Sequence, residues 1–372
     1  MINDKPVLFA EEQAGEFGLG VIQLNRAKAL NSLNLECYKL IEPKLHAWAK
    51  NPKIAAIIIE STSEKAFCAG GDVKALALVE QYRRLDVTKE FFTHEYFVDY
   101  LIHIYLKPII AFAEGIAMGG GLGLMNGASH RIVSEKTVLA MPEIAIGFFA
   151  DVGATNFLYR CPDGFGLFMG LTGARISGRD AVKVGLADFL IDKKIDEKLK
   201  HQIRADLLRL SWRENAATNR ALITEYFLKN LASQNIQAEN FAAYEEVRHI
   251  FLQKDYQSLY DQFICYEPKS DFIRDAKNRF IAGSPTSKQV FFNAYSRHKN
   301  KSWSEVFVAE WEMAIRFSKE NEFFEGVRAV LIDKDNSPRW NPADEKKVKN
   351  IERFFACGEA NMLAEKIRIF QG

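Results

Sequence analysis

"KPIIAFAEGIAMGGGLGLMNGAS", residues 107–129, decides the architecture. Lys107-Pro108 closes the amphipathic run before it, the apolar "IIAFAEG" (109–115) reads as a strand, and "MGGGLGLMNGAS" (118–129) reads as a glycine-rich turn entering a helix. A triple glycine at a strand-to-helix junction lets backbone approach a ligand and aims the free N–H groups of the helix start outward. Tight packing of a helix on a sheet asks for the same residues. The glycines at 119, 120, 121, 123 and 127 do not give the dinucleotide spacing G-x-G-x-x-G, so Glu135 is not read as a ribose-binding acid.

Outward from this junction, strand and helix signals alternate. "GLGVIQLN" (18–25) and "IAAIIIES" (54–61) read as strands around the amphipathic helix 35–50, and 89–106 is a further helix. "HRIVSE" (130–135) and "TVLAMPE" (137–143) are strands. Short connections between them predict an α/β layered domain, placed here at 1–194. From 195 to 372 the periodicity becomes helical, so that region is expected to pack on the core as helices. The segment 325–342 stands apart, a short apolar stretch running into a Pro/Asp/Asn-rich turn.

The composition limits the function. With 49 basic and 48 acidic residues among 372, the net charge is +1, so no overall field draws nucleic acid or an anionic membrane. Five scattered cysteines (37, 68, 161, 265 and 357), without a CxxC pair or zinc spacing, fit a reducing compartment. Neither a signal peptide nor a run of about 18 apolar residues is apparent, and a cytoplasmic protein is expected.

Two further features point to chemistry. "KAFCAGGDV" (65–73) is a second glycine turn leading through Asp72, a candidate N-cap, into a helix. Two such turns aiming one N–H apiece at a common point would make an oxyanion hole. "MPEIAIGFFADVG" (141–153) sets Glu143 and Asp151 in an otherwise apolar run. A carboxylate taken out of water costs several kcal/mol or shifts its pKa upward, so the pair is either hydrogen-bonded for structure or held for chemistry. A serine nucleophile elbow, a P-loop and an H-E-x-x-H motif are absent, and the seven histidines are isolated in sequence.

"NRAKALNSL" (25–33), "KAFCAGGDV", "KPIIAFAEGIAMGGGLGL" and "MPEIAIGFFADVG", in this order and spacing, resemble the enoyl-CoA hydratase/isomerase (crotonase) superfamily over nearly the whole chain. "GGDVKAL", the pairing of "PEIAIG" with "DVG", and "EGVRAVLIDKDNSPRWNP" resemble its branch that hydrolyses 3-hydroxyisobutyryl-CoA. The resemblance implies a crotonase-like ββα spiral core with a largely helical C-terminal region. It also implies a CoA-thioester site whose oxyanion hole is formed by the amides of Gly71 and Gly120. Hydratases of the superfamily resemble "GGGCE", with a catalytic glutamate where this chain has Gly123 and a glycine where it has Asp151. One carboxylate of the hydratase pair is therefore missing.

In the hydrolase branch Glu143 and Asp151 form the acidic pair and Glu95 contacts substrate, although on its own Glu95 reads as a solvated charge on an amphipathic helix. Arg26, Lys28 and Ala29 lie in the segment that resembles the family's CoA-binding loop, and Lys65 and Lys74 flank the first glycine turn. Each of these cations reads by itself as an ordinary surface charge. The expected reaction is hydrolysis of a short β-hydroxyacyl-CoA to acid and CoA, with Glu143 as nucleophile or general base. CoA would enter as part of the substrate, with no metal or redox cofactor, and superfamily members are commonly trimeric. The alternatives are a hydratase or isomerase using Glu143 alone, and a non-catalytic acyl-CoA binder, which needs no acidic pair. Ala150, Ala154 and Thr155 stand where the branch has a proline and two glycines. They imply a narrower space beside Asp151.

Overall fold

The computed structural model describes residues 5–80, 85–356, 358 and 360–371. Cys357 lies outside them, and Cys37, Cys68, Cys161 and Cys265 are free thiols. The described residues include ten strands: β1 (Val7–Ala14), β2 (Phe17–Leu24), β3 (Ile54–Ser61), β4 (Ala66–Cys68), β5 (Ile109–Ala113), β6 (Ile116–Met118), β7 (His130–Ser134), β8 (Val138–Ala140), β9 (Ile176–Ser177) and β10 (Phe189–Ile191). They form a six-stranded sheet in the order β1-β2-β3-β5-β7-β10 and a four-stranded sheet in the order β4-β6-β8-β9.

From β2 to β10 the larger sheet is parallel. Parallel strands need cover on both faces, and β3 is buried along its whole length. On one face Leu19, Val21, Ala56, Ile58, Ile110, Phe112 and Ile132 pack with Leu199, Ile203, Ile223 and Phe227, which come from the helices Glu197–Leu207 and Ala216–Asn230. On the other, Gly20 has no side chain because a Cβ there would come 2.8 Å from the Trp48 ring. Trp48 closes the apolar stripe Cys37, Tyr38, Ile41, Leu45 of the helix Leu35–Lys50, whose first turn is capped by the Asn34 side chain accepting from the Cys37 amide at 3.0 Å.

β1 is absent from the sequence expectation. "VLFAEEQA" carries two glutamates and a glutamine, but as the antiparallel edge of the sheet it exposes them to water, which keeps that edge from pairing further. Downstream of β10 the described residues are helices and turns, apart from a single bridge of Ala232 to Ile191.

Two compact units divide the chain differently from the expected 1–194 and 195–372. One holds the chain up to Gly71 with Val98–Leu139 and Ile176–Ala238, and the other holds Asp72–Phe97, Ala140–Arg175 and the chain from Glu239. The reason is the packing just described: the two helices of 197–230 are the cover of the parallel sheet, and 195 falls in the middle of one core. No helix among the described residues is long and apolar enough to cross a membrane.

Candidate active site

In the first unit the two glycine turns lie against each other. A Cβ on Gly70, whose φ is +105°, would sit 3.2 Å from the Met118 carbonyl oxygen and 3.6 Å from the Gly120 amide nitrogen. A Cβ on Gly121 would come 2.2 Å from the Cys68 carbonyl oxygen. These two glycines are therefore required by close approach of backbone to backbone. Gly120 is the first residue of the helix Gly120–Asn126, so its N–H has no intrahelical acceptor, and Gly71 pairs with Leu33 through an isolated parallel bridge. Among the described residues neither the Gly71 nor the Gly120 N–H donates a hydrogen bond.

The loop expected to hold CoA borders the same turns. The Leu33 amide donates to the Gly70 carbonyl at 2.9 Å and the Ala69 amide to the Leu30 carbonyl at 3.0 Å. Buried Asn31, in the left-handed region at φ 56°, donates its side-chain amide to Ser61 Oγ at 2.5 Å and to the Ala66 carbonyl at 3.1 Å. Asn31 thus pins the loop to β3 and β4. Arg26 turns its guanidinium back onto the carbonyl and hydroxyl of Ser32, while Lys28 and Ala29, in the 3-10 turn Ala27–Ala29, are exposed. Lys65 is exposed beside β4.

The acidic residues belong to the second unit, where Lys74 is also exposed and Asp72 directly precedes the helix Val73–Glu80. Glu143 opens the 3-10 turn Glu143–Ile146, and Asp151 begins a turn through Val152 and Gly153, both at positive φ (54° and 87°). A β-branched residue in that region is strained by about 1–3 kcal/mol. Two close approaches hold the Glu143 turn: a Cβ on Gly147 would meet the Glu322 carbonyl at 2.2 Å, and one on Gly326 would meet the Ile146 backbone at 2.2 Å. The helix Asn321–Val327, the start of the distinctive 325–342 segment, thus backs the turn that carries Glu143. Its chain continues as a π-helical turn, Arg328–Ile332, where a short apolar stretch was expected.

Glu143 and Asp151 are both buried, at 7% and 6% exposure, and so is Glu95, at 3%, which removes the solvated-charge reading of that residue. Among the described residues Glu143 Oε2 has no hydrogen-bond partner. Burial, followed by the charges of Asp151 and then Glu95, holds the Glu143 carboxyl well above the usual carboxylate range. Burial likewise lifts Asp151 to about 7, against the hydrogen bond that Tyr96 Oη donates to Asp151 Oδ2 at 2.6 Å. No Lys or Arg among the described residues forms an ion pair with either, so a structural ion-pair reading of the two acids fails.

Tyr96, from the helix Leu85–His103, was not singled out in the sequence, nor was Glu310 from the helix Trp303–Ser318. Glu310 Oε2 accepts from the Gly153 amide at 2.6 Å, and Oε1 accepts from the Thr155 amide at 3.2 Å and the Thr155 hydroxyl at 2.5 Å. Thr155 Oγ1 also lies 2.8 Å from Nδ1 of His298, a buried imidazole held down at about 4 by burial and by Lys301 and Arg297. Thr155, expected only to narrow the space beside Asp151, therefore belongs to a buried hydrogen-bond network. Ala150 and Ala154 are fully buried.

The chain has extensive similarity to known proteins. Residues 19–355 match the family described as enoyl-CoA hydratase/isomerase. The mitochondrial 3-hydroxyisobutyryl-CoA hydrolase of Xenopus tropicalis is 36% identical over 327 residues, covering 87% of this chain and 82% of that protein. The crystal structure of an enoyl-CoA hydratase from Rhodobacter sphaeroides, 27% identical, superposes with a TM-score of 0.80 over 94% of this chain and 97% of that one. A carnitinyl-CoA dehydratase from Mycobacterium thermoresistibile, 26% identical, gives 0.83 over 97% and 99%. The first relative is described as mitochondrial, so the expectation of a cytoplasmic protein finds no support in it. The family match spans both glycine turns and both buried acids, and the sheets are those of the crotonase fold: the chain belongs to the enoyl-CoA hydratase/isomerase family.

Proposed function

We propose that this protein hydrolyses a short β-hydroxyacyl-CoA thioester, 3-hydroxyisobutyryl-CoA in the first instance, to the free acid and CoA. One observation carries the reading: Glu143 is buried beside Asp151 with a carboxylate oxygen that no described protein group satisfies. A group so placed has its partner in the substrate or in the attacking water. The presence of Gly123, where hydratases of the family carry a second catalytic glutamate, argues against hydration, and the hydrolase relative supports the choice.

In this mechanism the N–H groups of Gly71 and Gly120 take the developing oxyanion of the thioester carbonyl. Loss of one such donor typically costs about 10²- to 10³-fold in kcat. Glu143 in its ionised form, whose Oε2 has no hydrogen-bond partner among the described residues, removes a proton from water as the oxygen adds to the carbonyl carbon. The tetrahedral species collapses by breaking the carbon–sulfur bond, and the departing CoA thiolate takes the proton back from Glu143. Asp151, oriented by Tyr96, holds the substrate hydroxyl, and Glu95 keeps Glu143 in its high-affinity state by like charge. Lys28 and Ala29, both exposed, meet the nucleotide end of CoA, while Arg26 stays with Ser32 as the clasp of that loop. CoA arrives as part of the substrate, and no metal or redox cofactor enters these steps.

The test is thiol release from 3-hydroxyisobutyryl-CoA, 3-hydroxypropionyl-CoA and crotonyl-CoA by the wild type, Glu143→Gln and Asp151→Asn. Release from the hydroxyacyl esters, lost in both variants, is expected. Absence of thiol release, with the enoyl absorbance of crotonyl-CoA changing instead, would refute the reading in favour of hydration or isomerisation. A single turnover in ¹⁸O water examines the base role. Label in the product acid is expected, whereas label in Glu143 would make it a nucleophile that forms an anhydride.

A further inference from the structure

Asp151 opens a turn closed by one hydrogen bond of its own, the Ala154 amide donating to the Asp151 carbonyl at 2.8 Å. Val152 and Gly153 follow at positive φ, and the stretch before Asp151 has alanine where the hydrolase branch has proline. The turn is also fastened from 155 residues further along the chain. Both oxygens of the Glu310 carboxyl face it, one on the Gly153 amide and the other on the amide and hydroxyl of Thr155. Glu310 is fully buried, and no ion pair accompanies it among the described residues. Three donors converging on one buried carboxyl make an expensive arrangement in a helix face that Val306, Phe307, Trp311 and Ala314 otherwise fill with apolar side chains.

With the Glu310 carboxyl ionised, counting donors gives the hydrogen-bond directions. Thr155 has one hydroxyl proton, and it goes to Glu310. The Thr155 oxygen is then the acceptor toward His298, so Nδ1 of His298 carries the proton. The chain His298 Nδ1–H to Thr155 O–H to the Glu310 carboxyl ends on the turn that starts with Asp151. The side chains that bear on these carboxyls come from three directions: Tyr96 from the helix Leu85–His103, His298 from the end of the helix Pro285–His298, and Glu310 from Trp303–Ser318.

We propose that Glu310 is a positioning residue for Asp151: its carboxyl, steadied by Thr155 and His298, sets the 151–155 turn so that the Asp151 side chain is held for the substrate. The carboxyl is what the geometry demands. A glutamine of the same shape has one accepting oxygen, so either the Gly153 N–H or the Thr155 pair would face an NH₂ group. Thr155, which differs from the glycine of the hydrolase branch, is part of this device and not only a bulkier neighbour of Asp151.

The proposal rests on the hydrolase reading for its kinetic test and on a second readout that does not. Glu310→Gln and Thr155→Val are compared with the wild type, alone and in an Asp151→Asn background. Because displacement of a reacting group by about 1 Å costs up to about 10²-fold, Glu310→Gln is expected to lower kcat by about 10- to 100-fold, with KM within about twofold. Thr155→Val should give a smaller loss of the same kind. If Glu310 acts through Asp151, Glu310→Gln adds nothing further to the slow residual release of Asp151→Asn followed over prolonged incubation; a full additional loss there overturns the proposal. Unchanged kcat in a variant that is only less heat-stable overturns it as well. The second readout is the ¹³C titration of the Glu310 carboxyl, which burial, with the Asp151 charge adding to it, pushes up to about 8 and which is expected to move to lower pH in Asp151→Asn. An unmoved curve overturns the proposal. If the wild type releases no thiol from any ester, the hydrolase reading fails and this titration alone decides the positioning role. Thr155→Val carries the kinetic comparison if Glu310→Gln does not fold.

Discussion

Tyr96→Phe separates a charged from a neutral hydrogen bond inside this cluster. The ring stays among Phe92 and Phe307, and only the hydroxyl that donates to Asp151 at 2.6 Å is lost. To a neutral carboxyl such a bond contributes about 0.5–1.5 kcal/mol, and to a carboxylate about 1.5–3 kcal/mol. The difference, about 1–1.5 kcal/mol, corresponds to about one pKa unit, so the Asp151 carboxyl, already lifted to about 7, rises further in the variant. The folded-state value lies above the unfolded one of 3.8, so over that window the folded protein binds more protons than the unfolded chain and its stability falls as pH rises. The variant extends the window upward. Urea unfolding is therefore expected to show Tyr96→Phe destabilised by about 0.5–1.5 kcal/mol at pH 5 and by about 1.5–3 kcal/mol at pH 9, with the same dependence on denaturant. A deficit that is constant across this range, or larger at pH 5, would refute the assignment of this bond to an ionising Asp151.

Gly121→Ala drives a Cβ to within 2.2 Å of the Cys68 carbonyl oxygen, so the two glycine turns must part. The expected result is about 1–3 kcal/mol of destabilisation in chemical unfolding together with loss of thiol release, and retention of both would contradict the packing described. Glu143→Gln removes a buried acid whose raised pKa makes the fold lose stability as pH climbs through it. The variant should melt higher than the wild type at pH 8, and the gap should close toward pH 4. Arg204→Met strips the fully buried Glu60 of a guanidinium that reaches its two oxygens at 2.8 and 2.9 Å. A loss of about 3–5 kcal/mol is expected at neutral pH, and a near-neutral effect would mean that Gln23, which also donates to Glu60, suffices.

How much of this was legible in the sequence depends on how local the signal was. β2, β3, β5 and the helix Leu35–Lys50 announce themselves because both faces of a parallel strand, or one stripe of a helix, must be apolar. Glu143 and Asp151 stand out because charge in an apolar run demands a reason. Tyr96 carries no such mark, since a tyrosine on a helix rich in aromatic residues looks like core. Glu310 did leave a trace: it takes a position on the buried stripe Val306, Phe307, Trp311, Ala314 where an apolar side chain is expected, yet its partner lies 155 residues away. A still longer separation hides why Gly147 and Gly326 are glycines, each making room for backbone from the other's segment. The division of the chain into units was the least legible, because the helices of 197–230 carry no label saying which sheet they cover.

The interleaving of the two units also governs the birth of the protein on the ribosome. The parallel sheet can order its strands from β2 to β7 once residue 134 has emerged, but the apolar face formed by Leu19, Val21, Ile58, Ile110 and Phe112 stays open to water until Ile223 and Phe227 follow. Asp72–Phe97 and Ala140–Arg175 also leave the tunnel long before partners such as Glu310 and Glu322, near the end of the chain, and must wait for them. A nascent chain of this topology exposes sticky intermediates for most of its synthesis, so its yield in a cell will respond to translation speed and chaperone supply more steeply than its final stability suggests.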